Sequence, residues 1–113
     1  DPEIDIDFRE MCLWDMPADL EADWGYCCDV MEHIPPDKVE AVLVGIAKAS
    51  HKGVFFQIAI TDENFGAQIG EKLHLTVMPP EWWIAELKKH WANVEELMPD
   101  EGQRPYRRIF KAW

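Results

Sequence analysis

An α/β fold is what this 113-residue sequence predicts: a mainly parallel sheet with an antiparallel C-terminal hairpin and helices on its faces. Three observations carry that expectation. Two short, nearly continuous apolar runs, 24–30 and 54–60, flank an amphipathic helical stretch, which is the order of a βαβ unit with parallel strands. Proline pairs at Pro35-Pro36 and Pro79-Pro80 stand where helices begin, because the first helical turn does not need the amide that proline lacks. Two further strand-like segments, 94–98 and 106–112, are joined closely enough to pair antiparallel.

In chain order, residues 1–7 alternate acid with Pro and Ile and carry little pattern. Residues 8–13 are expected as a strand interrupted by Arg9 and Glu10, ending at Trp14-Asp15-Met16-Pro17. Residues 18–23 read as a polar loop or a single helical turn. The run 24–30 is apolar on both faces up to Asp29, the mark of a central strand covered by helices. Asp37 sits in the first turn of the next helix, where a negative charge suits the dipole. Val39, Val42, Leu43 and Ile46 recur at three- and four-residue spacing, giving a helix to about Ser50. His51-Lys52-Gly53 is expected to close it, basic residues and glycine being helix stop signals. The strand 54–60 then leads into a long loop, 61–78, with His74 near its end; loops after parallel strands commonly carry function. A helix from Pro79-Pro80-Glu81 places Trp83, Leu87 and Trp91 on one face. A strand 94–98, a turn 99–103 and a strand 106–112 complete the chain.

Composition narrows the function. The length suits one domain spanning 1–113, and 48% apolar residues with six tryptophans provide a core that a disordered chain lacks. A formal charge of −11 argues against a general nucleic-acid grip, which needs a basic face to displace counterions. It leaves room for a nucleic-acid substrate held by a partner. The acid is uneven: before Glu40 the basic residues are Arg9 and Lys38, whereas Arg104, Arg107, Arg108 and Lys111 make the tail basic. This reads first as a solvated acidic surface. Three cysteines, two of them adjacent and none in C-x-x-C spacing, suggest reduced thiols in a cytoplasmic protein. No apolar run approaches the roughly 18 residues of a membrane helix and no signal peptide is visible, so no membrane partner is expected. The sequence starts without Met, as a processed or partial product would.

The stretch A-D-W-G-Y-C-C-D-V-M-E-H-I-P-P (22–36) resembles the fourth strand and following "LEHI" turn of class I S-adenosylmethionine-dependent methyltransferases. The 53–60 strand is similar to that family's fifth strand. L-H-L-T-V-M-P-P-E-W-W (73–83), ahead of a helix and closing hairpin, completes a likeness covering about four-fifths of the chain. The resemblance implies the C-terminal half of a partial Rossmann-like methyltransferase fold, moving a methyl group from S-adenosylmethionine to an oxygen or nitrogen of a small-molecule or nucleic-acid acceptor. It implies cofactor contacts at Leu13, Asp15, Cys27, Cys28 and Asp29, with Cys12 rather than an acid at the family's adenine position. The sequence contains no G-x-G, so the glycine-rich loop that cradles the cofactor at a helix N-terminus is absent from it. A missing N-terminal half is one explanation. The other is a non-catalytic half-domain that binds or assembles through an open sheet edge, as a homodimer for example.

Asp29-x-x-Glu32-His33 is the chemical centre of the sequence. If the turn curls above the strand end, Asp29, Glu32, His33 and His74 form a candidate hard divalent site of Mg²⁺ or Mn²⁺ type; the resemblance to metal-dependent members adds His74. His33 or His74 is equally a candidate general base for an acceptor hydroxyl, since imidazole titrates near neutrality. Against both stands a structural role, with Glu32 and His33 hydrogen-bonding the turn and helix start. Cys27 and Cys28 read as packing, with no nearby cation to stabilise a thiolate. Trp82 is either a packed surface aromatic or a platform for a flat acceptor, and Trp83 is core by spacing.

Overall fold

A computed structural model describes residues 7–61, 73–97 and 106–113. Its sheet has four strands: β1 (Ala22–Cys28), β2 (Ser50–Ala59), β3 (Val94–Leu97) and β4 (Arg107–Ala112), in the spatial order β1-β2-β4-β3. Helix α1 (Val39–Ala49) links β1 to β2, which are parallel, and α2 (Pro80–Lys88) precedes β3. β4 inserts antiparallel between β2 and β3. The sheet is therefore mixed, with one parallel and two antiparallel pairings, rather than mainly parallel. The hairpin strand β4 takes the place beside β2 that would otherwise fall to another parallel strand.

Alternation along β2 and β4 decides the layering. Val54, Phe56, Ile58, Phe110 and Ala112 point to one face and are buried there with Val39, Val42, Leu43 and Ile46 of α1 and Trp83 and Leu87 of α2. Both helices among the described residues thus cover one face. Phe55, Gln57 and Lys111 point to the opposite face, which carries neither helix. Burying each large apolar side chain contributes roughly 1.5–3 kcal/mol, so the periodic residues of α1 account for much of its docking.

Several local expectations change. Residues 8–13 form no strand: Phe8 is 84% exposed, and Arg9 is tied to Asp7 and Asp19 at 3.0 and 3.1 Å. Leu13–Asp15 is a single 3-10 turn. β1 starts two residues earlier than the apolar run, at Ala22, and among the described residues it lies at the sheet edge with only Cys27 buried. The proline pair opens a 3-10 turn, Pro36–Lys38, that runs into α1. His51-Lys52-Gly53 does not end the helix; α1 passes directly into β2 at Ser50. Gly53 is needed for close approach instead, because a Cβ there would sit 2.6 Å from the Ala112 carbonyl oxygen and from the Trp24 ring. The pairing slips by one residue between Ala22 and Trp24, a bulge that places His51 and Lys52 within 3.7 Å of Glu21 and Asp23.

Helix α2 starts at the second proline pair as the sequence indicates, and the final two strands pair antiparallel. The expected turn 99–103 and most of the 61–78 loop fall outside the described residues. Among the described residues no helix is long and apolar enough to cross a membrane.

Candidate active site

β1 ends at Cys28, and the chain then turns sharply. Asp29 adopts a left-handed conformation (φ 57°), uncommon for a residue with a side chain, while its N–H donates to the Gln57 carbonyl at 2.8 Å. Its carboxylate accepts from Gln57 Nε2 at 3.3 Å and pairs with Arg107 Nε at 3.1 Å. Strained residues of this kind concentrate at functional turns. Here the strain sets up Met31–His33, a 3-10 turn that buries Met31 and Glu32 and leaves His33 exposed.

The segment carrying His74 is laced onto that turn. The Glu32 carbonyl accepts from the Leu75 and Thr76 amides at 2.8 and 3.0 Å, and the buried Thr76 hydroxyl donates to the Ile34 carbonyl at 2.7 Å. His33 Nδ1 lies 2.8 Å from the Leu73 carbonyl oxygen, and His74 Nδ1 lies 2.8 Å from that of Thr61. A carbonyl only accepts, so in each ring Nδ1 carries a proton, and in the neutral form of the ring the lone pair is on Nε2. The rings stand nearly perpendicular, centroids 4.9 Å apart.

Glu32 completes the group. One carboxylate oxygen and one nitrogen of each imidazole lie within 4.8 Å of one another. The Glu32 side chain is buried, and its Oε2 has no hydrogen-bond partner among the described residues. Burial pushes its carboxyl pKa above the usual range; amides and the neighbouring His33 pull the other way, and the Asp29 charge adds to the rise. A buried carboxylate oxygen without a partner among the described residues, beside two imidazoles, fits a divalent cation. The Nδ1–H to carbonyl bonds are the supporting contacts that metal-bound histidines commonly make.

The sequence expectation thus divides. Glu32, His33 and His74 come together, whereas Asp29 is held outside that group by Gln57 and Arg107. Leu13 and Cys27 line one apolar groove, while Asp15, on its 3-10 turn, and Cys28 are exposed. Burial raises the Cys27 thiol to about 12, so it is a packing residue and no nucleophile. Trp82 is half-buried and packs edge-on against Trp83, 4.9 Å between centroids. Gln57, Arg107 and Thr76 were not singled out from the sequence. Thr76 was the most accessible of these, as the one hydroxyl in an apolar stretch; the others are remote in sequence from the turn they hold.

No family model and no curated protein sequence matches the chain. A solved structure of an O-methyltransferase family protein from Burkholderia thailandensis is similar in fold, with a TM-score of 0.70 at 14% identity. The likeness covers 94% of this chain and 35% of that one, so this chain spans about a third of that protein's length. The four-stranded mixed sheet with two helices is a methyltransferase-like fold.

Proposed function

We propose that this chain forms the acceptor-side part of a class I S-adenosylmethionine-dependent methyltransferase, acting on a hydroxyl or nitrogen acceptor in a reducing, cytoplasmic setting. The observation that carries the reading is the Glu32, His33 and His74 group at the carboxyl end of β1, in a methyltransferase-like fold. Open α/β sheets bind their ligands outside the carboxyl ends of their strands.

S-adenosylmethionine supplies the methyl carbon, whose bond to sulfur breaks as the acceptor forms its own bond to that carbon and the electron pair returns to sulfur. This chain's residues prepare the acceptor. A neutral His74 or His33 accepts the acceptor's proton at Nε2, and the main-chain carbonyl at Nδ1 holds the ring in the tautomer that does so. Alternatively, Glu32, His33 and His74 would hold a divalent cation, which would lower the acceptor hydroxyl's pKa in place of proton uptake by either ring. Two imidazoles and one carboxylate suit Mn²⁺ better than Mg²⁺, which prefers an all-oxygen shell. Positioning donor and acceptor in line contributes the larger part of the rate.

The test measures transfer of a trideuterated methyl group from labelled S-adenosylmethionine, by mass spectrometry, to a panel of phenols, catechols and RNA 3′ ends. The protein used is the longest natural polypeptide that carries these residues. Labelled product that falls about 10²–10⁴-fold in His74→Gln or His33→Gln is the expected result. A polypeptide that neither retains S-adenosylmethionine nor labels any acceptor would end the enzymatic reading.

A further inference from the structure

We propose that Thr76 is a positioning residue for the Glu32, His33 and His74 group. Its hydroxyl fixes the His74 segment against the 31–34 turn, which sets the alignment of the two imidazoles. Through that alignment it sets how tightly the group takes a divalent cation. The affinity rests on the proposed metal site of the methyltransferase reading; the alignment of the rings does not.

His74 is held from both sides. Before it, the Leu73 carbonyl accepts from His33 Nδ1 at 2.8 Å. After it, the Leu75 and Thr76 amides both donate to one oxygen, the Glu32 carbonyl, at 2.8 and 3.0 Å. Two donors converging on a single oxygen make a pivot, about which the segment can still swing. The His33 bond cannot stop that swing, because the ring turns about its own side-chain torsions and is itself to be placed. The Thr76 hydroxyl can. It donates to a second carbonyl of the turn, that of Ile34, at 2.7 Å. A bond away from the pivot fixes the segment, and His74, two residues back, is fixed with it.

The residue type suits the task. Thr76 is 3% exposed, so water does not compete for its hydroxyl. Leu75, Val77 and Met78 around it are apolar, and a valine would bring nearly the same shape with no polar group to satisfy. On the turn, Ile34 is followed by Pro35 and Pro36, neither of which has an amide to offer a carbonyl. Thr76 supplies a donor from forty-two residues along the chain. Contacts behind metal-binding side chains commonly change affinity by about 10–100-fold when removed. Thr76 acts one step further back, through the main chain of 74–76, which places its effect at the lower end.

The experiment uses the longest natural polypeptide that carries these residues, with nitrogen-15 in its histidine rings. Ring signals are read by nuclear magnetic resonance in chelator, at a pH well above the imidazole range, and assigned with His33→Gln and His74→Gln. Wild type should show one tautomer for each ring, with the proton on Nδ1. Thr76→Val should move both rings toward a tautomer average, and Mn²⁺ binding by calorimetry should weaken about tenfold. Thr76→Ser keeps the hydroxyl and should restore both readouts. Ile46→Val in α1 should lower the urea midpoint and leave both unchanged, so lost stability alone does not imitate the effect. Unchanged ring signals in Thr76→Val overturn the proposal. So does a wild type with either proton on Nε2, which needs no variant, or Thr76→Ser behaving as Thr76→Val, which would assign the effect to packing. Altered rings with unaltered Mn²⁺ binding overturn the link to affinity. A wild type that takes up no Mn²⁺ ends the metal reading, and the ring signals still decide the part played by Thr76.

Discussion

His33 and His74 meet edge to ring, 4.9 Å between centroids, although forty residues separate the turn of one from the carbonyl at Leu73 that anchors it. Each gives its Nδ1–H to a main-chain oxygen, and one nitrogen of each ring lies within 4.8 Å of a carboxylate oxygen of the buried Glu32. A pair of rings free to rotate would have no fixed acceptor geometry. This pair is pinned from behind, and the first prediction follows from the pinning.

Mn²⁺ should raise the thermal midpoint of the wild-type chain, and Mg²⁺ should do so less. A cation present at a hundredfold its dissociation constant adds about 2.7 kcal/mol, a shift of roughly 10 °C for a chain of this size. Glu32→Ala and His74→Ala should lose most of that shift in differential scanning fluorimetry. Equal shifts in wild type and both variants would remove the metal from the proposal.

Glu32 predicts a pH dependence with a definite sign. Burial raises its folded pKa above the ordinary 4.5, so the folded chain binds the proton more tightly than the unfolded one. Its contribution to stability is therefore gained as pH falls through the raised value, and is complete below the ordinary one. Glu32→Gln should be more stable than wild type at neutral pH in the presence of a chelator, and the gap should close on acidification. Urea midpoints measured on both proteins across pH 4 to 8 check this; a gap that widens toward acid would contradict it.

Two glycines should respond oppositely to alanine. At Gly53 the new Cβ meets the Ala112 carbonyl and the Trp24 ring at 2.6 Å, and main chain cannot swing aside. A loss of about 1–3 kcal/mol in urea unfolding is expected. At Gly45, inside α1, the nearest atom is the flexible Met16 sulfur at 3.1 Å. There the gain in helix propensity, roughly 0.5–1 kcal/mol, should make Gly45→Ala neutral to stabilising.

Adjacent tryptophans should separate just as clearly. Trp83 is fully buried in the core shared by both helices, and its replacement by Ala should cost about 3–5 kcal/mol. Trp82 packs against that core while partly exposed, and Trp82→Ala should cost well under half as much. Denaturant midpoints for the two variants decide it.

Local pattern was enough to place most elements. Three- and four-residue spacing gave α1, paired prolines gave two helix starts, and apolar runs gave β1 and β2, because these signals act between near neighbours. What failed were judgements about what lies alongside. The apolar run of β1 looks central when read alone, yet among the described residues the strand lies at an edge with Tyr26 bare, since no property of seven residues specifies which strand pairs with them. Gly53 looked like a helix stop and proved to be a contact position, set by an Ala112 carbonyl almost sixty residues away.

By itself the sequence determined that Asp29, Glu32 and His33 follow a strand end and that His74 lies in a loop after the next strand. Only the tertiary structure decided which of these four converge. Glu32, His33 and His74 meet because the 73–76 segment hydrogen-bonds to the Glu32 and Ile34 carbonyls. Asp29 is kept apart because β4 brings Arg107 beside β2, where Arg107 and Gln57 hold its carboxylate. Those partners come from strands far along the chain, and hydrogen bonds of that reach have no periodicity to read.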